Sequence, residues 1–279
     1  MPAPLAIVDG RGWSAPQLVA AKGATSVSVC LPARNEEATV GAIVTTIRRE
    51  LMERGALVDE LIVIDDHSTD RTAKVAADAG AVVVDAANVL TDHGIGHGKG
   101  EALWKSLHVS TGEIVVWCDS DISHFESRFI TGLLGPLLTD PDVAFTKGFY
   151  ERPEHDGVGG GRVTELTARP ILQLLFPELA AVVQPLSGEY AGRRSVLEQL
   201  PFTVGYGVDL GLLIDVARLV GVEAIAQVDL GRRHHRNRTL AQLGPQARAV
   251  MQVALARAGV DVAHPEERPP LAARFLDIT

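Results

Sequence analysis

Two cysteines in 279 residues are too few for a disulfide framework or a cysteine-based zinc site. Cys30 and Cys118 both fall inside apolar runs and read as ordinary strand residues. Long apolar runs are missing as well. The longest stretches free of Asp, Glu, Lys and Arg are Gly23–Ala33 and Phe129–Thr139, about half of the roughly 20 residues that a membrane-spanning helix needs. The opening MPAPLAIVDGRGW has no basic segment followed by an apolar one, so no signal peptide is expected, and the expected location is the cytoplasm, away from membranes. Positive charge is in deficit. With 26 Lys and Arg against 35 Asp and Glu, the formal charge is −9, which argues against a nucleic-acid partner. What is present is a chain 46% hydrophobic and 22% charged, too apolar for disorder and able to fill a sizeable core, as one large α/β domain or two small ones. One segment runs against the acidic background: residues 231–238 read GRRHHRNR, four arginines and two histidines in eight positions.

In the first half, short apolar runs alternate with helical patterns. Val27–Leu31 reads as a strand, and Val40, Ile43, Val44, Ile47 and Leu51 form the i, i+3, i+4, i+7 stripe of a helix packed on one face. Leu61–Ile64 is a buried-strand run. It is followed by a helix capped at Ser68 or Thr69 and ending at Gly80, then by a strand at Ala81–Val84, a helix at Gly100–Val109 and a strand at Ile114–Cys118. Such alternation predicts a mainly parallel sheet with helices on both faces. The second half is less regular. Strands are predicted at Asp142–Tyr150 and Glu223–Val228, with helices at Val163–Leu175 (broken near Pro170), Val208–Val220 and Leu240–Ala258. The predicted division is an extension over 1–24, a nucleotide-binding Rossmann-like half over 25–150, a mixed α/β half over 151–260, and a tail or arm over 261–279, all within one continuous domain.

Ligands of open parallel sheets bind at the carboxyl ends of the strands, and the polar clusters stand there: Pro32–Glu36, Asp65–Asp70 and Asp119–Asp121. Asp119-Ser120-Asp121 pairs two carboxylates, a donor set for a hard divalent cation that can neutralise a diphosphate. The same triplet alone would also describe a strand-end turn. Gly94–Gly100 tempts a phosphate-loop reading, but its spacing is wrong for a Walker A motif and no strand precedes it. What remains is a flexible loop presenting Lys99 to a phosphate, or a plain surface loop. Gly161, Arg162 and Thr164 mark a glycine-led helix start suited to an anion, or a hinge. Arg233, His235 and Asn237 belong to the basic run, with arginine suited to phosphate and histidine to metal. Asp209 opens a helix, where a carboxylate usually answers the dipole.

In this order, the segments LPARNEE (31–37), IVIDDHSTDRT (62–72) and WCDSD (117–121) resemble nucleotide-sugar glycosyltransferases of the A-type fold. The longer segments GKGEALWKSL (98–107), GGGRVTEL (159–166), QPLSGEYAGRR (184–194), GYGVDLGLLID (205–215) and AIAQVDLGRRHHRN (224–237) narrow the resemblance. They are similar to the actinobacterial glucosyl-3-phosphoglycerate synthases, relatives of the mannosyl-3-phosphoglycerate synthases. The resemblance implies transfer of glucose from UDP-glucose to the 2-hydroxyl of 3-phosphoglycerate with retention, a divalent metal (Mg²⁺ or Mn²⁺) and a homodimer. It places Pro32, Ala33, Glu36 and Asp66 around the uridine, with Asp66 where close relatives carry serine, and Lys99 and Ser120 on the UDP-sugar. Asp121 and His235 are implied as metal ligands. Gly161, Arg162, Thr164, Arg233 and Asn237 are implied at the acceptor. Asp209, where relatives carry glutamate, is implied to face the donor sugar, giving Asp209, Asp121 and Lys99 as the catalytic set.

Other readings differ in donor or in chemistry. A mannosyl or dual-donor enzyme using GDP-mannose or GDP-glucose has the same acceptor site. A sugar-phosphate nucleotidyltransferase usually carries a basic Gly-rich loop after the first strand, where this chain has PARNEE. A non-catalytic nucleotide-sugar-binding protein would bind UDP-glucose and release no UDP.

Overall fold

The computed structural model describes residues 5–151, 161–233 and 240–275. The first half alternates as expected, through β1 (Ala6–Asp9), α1 (Ala15–Lys22), β2 (Val27–Ala33), α2 (Val40–Ile47), β3 (Glu60–Asp65), α3 (Thr72–Ala79), β4 (Val82–Asp85), α4 (Lys99–Val109) and β5 (Ile114–Trp117). The second half continues with α5 (Arg128–Thr139), β6 (Phe145–Glu151), α6 (Arg169–Leu175), β7 (Tyr190–Arg193), α7 (Arg194–Leu197), β8 (Phe202–Thr203), α8 (Val208–Val220), β9 (Ile225–Arg232), α9 (Leu240–Arg257) and β10 (Glu267–Arg268). One eight-stranded sheet runs β1-β9-β6-β7-β5-β2-β3-β4. Only β7 is antiparallel to its neighbours, β5 and β6.

The strands owe their places to a period of two. Cys30, Ile62, Ile64, Val115 and Trp117 face one core layer with Leu103, Trp104 and Leu213. Val29, Leu31, Val63 and Val116 face the other, with Ile43, Ile47, Leu133 and Leu134. Both faces are covered, so the strands are apolar throughout, as a parallel sheet requires.

Three departures from the sequence-level expectations have physical causes. Helix α5 is not expected from sequence, because Gly132, Gly135 and Pro136 interrupt its stripe of Phe129, Ile130, Leu133, Leu134 and Leu137 and argue against a helix. The break expected near Pro170 is absent. A wider π turn over Thr164–Ala168 runs directly into α6, and Pro170 follows it, where the regular i→i−4 ladder is already interrupted. Finally, both terminal segments join the body. Within residues 1–24, β1 extends the sheet in parallel with β9. Within residues 261–279, β10 pairs with β8, Arg268 meets the buried Glu101 of α4 at 2.5 Å, and Trp104 Nε1 donates to Pro269 O at 2.9 Å.

Candidate active site

The carboxyl ends of β2, β3 and β5 are woven together by short polar side chains. Asn35 takes a left-handed conformation, φ +58°. Its N–H donates to Ser68 Oγ at 3.0 Å, and its Oδ1 accepts from Thr69 N at 2.8 Å. The Glu36 N–H donates to Thr72 Oγ1 at 2.7 Å. Ser120 Oγ donates to Pro32 O at 2.8 Å, and Thr39 Oγ1 donates to Ser120 O at 2.6 Å. Ser120 is therefore a brace between β2 and β5 as much as a lining group. Asp66 is buried, and its Oδ2 accepts the Gly98 N–H at 2.9 Å, which anchors the glycine-rich loop below β3.

Glycine on both sides brings Lys99 inward. Gly98 has φ +97°, a conformation open to glycine. A Cβ at Gly100 would collide with Thr203 O, and the Gly100 N–H donates to Gly205 O at 3.2 Å. Lys99 Nζ then lies 2.9 Å from Asp119 Oδ1 and 3.0 Å from Asp209 Oδ1. Burial opposes its charge, but Asp119 and Asp209 outweigh burial and hold the ammonium well above its ordinary pKa.

A second buried cation completes the cluster. Arg233, 5% exposed, lies 2.5 Å from Asp121 Oδ1, 3.3 Å from Asp119 Oδ2 and 2.9 Å from Glu189 Oε1. It also donates to the Tyr150 hydroxyl. The contact with Glu189 is an ion pair without hydrogen-bond alignment, and both Glu189 oxygens lack a hydrogen-bond partner among the described residues. Burial pushes the Glu189 carboxyl up to about 7, with Arg233 pulling the other way. Asp119 moves in the opposite direction: burial would raise it, yet Lys99 and Arg233 together hold it well below the ordinary carboxylate range. Tyr190 donates from its hydroxyl to Asp209 Oδ1 at 3.0 Å. Lys147 Nζ, 4.3 Å above the Tyr190 ring, donates to Ser187 O at 2.9 Å, and burial pushes it down to about 8.

One cleft of ≈ 380 Å³ is lined by Pro32, Ala33, Glu36, Asp66, Lys99, Ser120, Asp121, Gly161, Arg162, Thr164, Asp209 and Arg233. Residues from seven separate segments thus meet in one place, in a volume typical of small-ligand sites. Gly161, with φ +91°, opens the helical turn that carries Arg162 and Thr164. His235 and Asn237 lie outside the described residues. The carboxylates fit a hard divalent cation. Asp119 is held between two cations, whereas Asp121 pairs with Arg233 alone among the described residues and its side chain is 36% exposed, which makes it the more open oxygen donor.

Sequence reasoning passed over Glu189, Tyr190, Lys147 and Tyr150. A signal existed for one of them: Glu189 is a lone acid between the uncharged stretches 179–188 and 190–192, and a carboxylate in such a setting is either paired or functional.

Comparison with known proteins identifies the family. Residues 28–200 match the family described as Glycosyl transferase family 2. The chain is 50% identical over 253 residues to the glucosyl-3-phosphoglycerate synthase of Mycolicibacterium smegmatis, covering 89% of this chain and 82% of that one. To the enzyme of the same name from Petrotoga mobilis it is 48% identical over 236 residues, covering 83% and 73%. Among solved structures, the Mycobacterium tuberculosis glucosyl-3-phosphoglycerate synthase in complex with Mn²⁺, UDP-glucose and phosphoglyceric acid matches with a TM-score of 0.89 and 44% identity, covering 97% of this chain and 99% of that one. The same enzyme with Mg²⁺ and UDP matches with a TM-score of 0.89 and 43% identity, with the same coverage. The chain belongs to glycosyl transferase family 2 and, within it, to the glucosyl-3-phosphoglycerate synthases.

Proposed function

We propose that this chain transfers glucose from UDP-glucose to the 2-hydroxyl of 3-phosphoglycerate, with retention at the anomeric carbon and with Mg²⁺ or Mn²⁺ serving the donor. The observation that carries the reading is the cleft in which uridine-type loops, a lysine, carboxylates and three arginines converge. It stands in a chain 44% identical to an enzyme solved with Mn²⁺, UDP-glucose and phosphoglyceric acid.

Each part of the cleft has work in this reaction. Pro32, Ala33, Glu36 and Asp66 form the nucleoside wall, braced by Ser120. Asp121 would hold the metal, joined by His235. When bound, the metal neutralises the diphosphate and acts as a Lewis acid on the departing UDP. Lys99 adds a permanent positive charge on the diphosphate side and cannot rotate away, because Asp119 and Asp209 hold its ammonium. Asp209, fixed by the Tyr190 hydroxyl, presents its carboxylate on the sugar side. The acceptor carries a phosphate and a carboxylate, and it meets Arg233 together with Gly161, Arg162, Thr164 and Asn237. Arginine suits that task because its planar fork grips an oxyanion at two points. The same reading has a cytoplasmic homodimer, and a sedimentation mass of one chain at micromolar concentration would refute that part.

The deciding experiment is a donor-by-acceptor matrix. UDP-glucose, GDP-glucose and GDP-mannose are each mixed with the purified chain, Mg²⁺ and 3-phosphoglycerate, and nucleotide release and product mass are read. UDP release from UDP-glucose, dependent on 3-phosphoglycerate, is expected. Preference for GDP-mannose would overturn the donor assignment. UDP-glucose binding without release would leave a binding protein.

A further inference from the structure

The turn after β3 holds a histidine where the backbone favours glycine. His67 has φ +60°, a left-handed conformation that costs a residue bearing a Cβ about 1–2 kcal/mol. Its Nδ1 lies 3.0 Å from Asp66 Oδ1, while its Nε2 is buried without a hydrogen-bond partner among the described residues. Buried polar atoms are rarely left unpaired. Above it stands His97, from the loop before α4. The two imidazole centroids are 4.1 Å apart and their planes tilt by 46°. The loop cannot drift far, because the neighbouring Gly98 N–H is bonded to Asp66 Oδ2 at 2.9 Å. Asp66, His67 and His97 each place one ligand atom within 4.8 Å of the others.

We propose that Asp66, His67 and His97 form a second metal site, separate from Asp121, for a borderline divalent cation of the zinc type. Two imidazole nitrogens and one carboxylate oxygen match the donor preference of zinc, and three protein ligands leave a fourth position open. A tetrahedral ion with bonds of ~2.1 Å holds its ligands ~3.4 Å apart, so the cluster closes by about an ångström on binding. The exposed His97 is the member that moves. An ion bound through Nε2 would satisfy that orphaned atom. The site is also chemically distinct. Asp121 follows β5 and Asp66 follows β3, with β2 between them, which at ~4.8 Å per strand places the two sites about 10 Å apart. Nitrogen ligands favour zinc over magnesium and manganese, so excess Mg²⁺ leaves this site open to zinc. Bound there, the cation would also stiffen the loop that delivers Lys99.

The test is a Zn²⁺ titration by calorimetry on the full chain in excess Mg²⁺, alongside His67→Gly and His97→Ala. Glycine suits φ +60°, so His67→Gly removes the imidazole without straining the backbone. His97→Ala alters an exposed side chain, so its fold is safe. Each variant is expected to bind one equivalent fewer of Zn²⁺, or to bind it at least tenfold more weakly, while Mg²⁺-dependent UDP binding persists. Zn²⁺ isotherms that superimpose across the three proteins would overturn the site, as would the absence of any Zn²⁺ binding by the wild-type chain.

Discussion

Gly188 makes the tightest claim about how the charge cluster is held. A Cβ built there would lie closer than 3.0 Å to both carboxylate oxygens and the Cγ of Asp119, a separation real Cβ atoms essentially never show. Gly188 has an ordinary negative φ, being absent from the left-handed glycines, so alanine brings no backbone strain and the collision is the whole effect. Asp119 must retreat by ~1 Å to regain ordinary contact. It has nowhere to go without lengthening its 2.9 Å contact with Lys99 and its 3.3 Å contact with Arg233. Overpacking of this kind costs about 1–3 kcal/mol, and loosening a buried ion pair adds part of the 3–5 kcal/mol that complete unpairing costs. Gly188→Ala should therefore lose roughly 2–5 kcal/mol, which for a chain of this size lowers Tm by about 3–9 °C.

Activity should suffer separately, since an ångström of displacement in a catalytic group can cost ~10²-fold in rate. The assay is a thermal melt and kcat/KM for Gly188→Ala, Asp119→Ala and the double variant. If the alanine acts through Asp119, adding Gly188→Ala to Asp119→Ala should cost under ~0.5 kcal/mol. A wild-type melt for Gly188→Ala, or an equal penalty in both backgrounds, would refute the reasoning.

Four further outcomes follow from the site. Asp121→Ala should abolish turnover and remove the metal dependence of UDP binding; calorimetry showing metal-enhanced UDP binding in the variant would refute its role. Arg233→Lys keeps the charge but loses the planar fork, so the KM for 3-phosphoglycerate should rise about tenfold, ~1.4 kcal/mol, and by more than the UDP-glucose KM; an equal rise in both would refute its acceptor role. Tyr190→Phe removes the hydroxyl at 3.0 Å from Asp209, and kcat should fall about 5–10-fold, in line with ~1–1.5 kcal/mol for one hydrogen bond. Glu189 has a carboxyl raised from 4.5 to about 7, so the folded state holds its proton longer than the unfolded chain and its ionisation subtracts stability as pH rises across that window. The Tm of Glu189→Gln minus that of the wild type should accordingly increase between pH ~4.5 and ~7, and parallel curves would contradict the raised carboxyl.

What the sequence made legible, and what it hid, divides along the topology. The parallel half is written locally. The stripe Val40, Ile43, Val44, Ile47 is a helix face, Gly80 ends α3 in a left-handed cap, and the polar loops sit where parallel strands must end. Helix α5 escaped although Phe129, Ile130, Leu133, Leu134 and Leu137 make a stripe, because Gly132, Gly135 and Pro136 within it argue against a helix. Strand β7 escaped for a different reason. Its four residues, YAGR, hold no apolar run of the kind that marks β5, and its place between β5 and β6 depends on pairing with segments remote in sequence. The chemistry that β7 organises was hidden with it. Asp119 meets Lys99 from 20 residues away and Arg233 from 114. Glu189 and Tyr190 reach Arg233 and Asp209 only because β7 lies antiparallel beside β5. Residues proposed to touch substrate are open to motif reading, since each sits at a strand end or a helix start. Residues that hold those groups in place were not, because holding is a relation between distant segments. The partners of Asp119 and Asp209 are therefore where mutagenesis should add most to a site already sketched from its motifs.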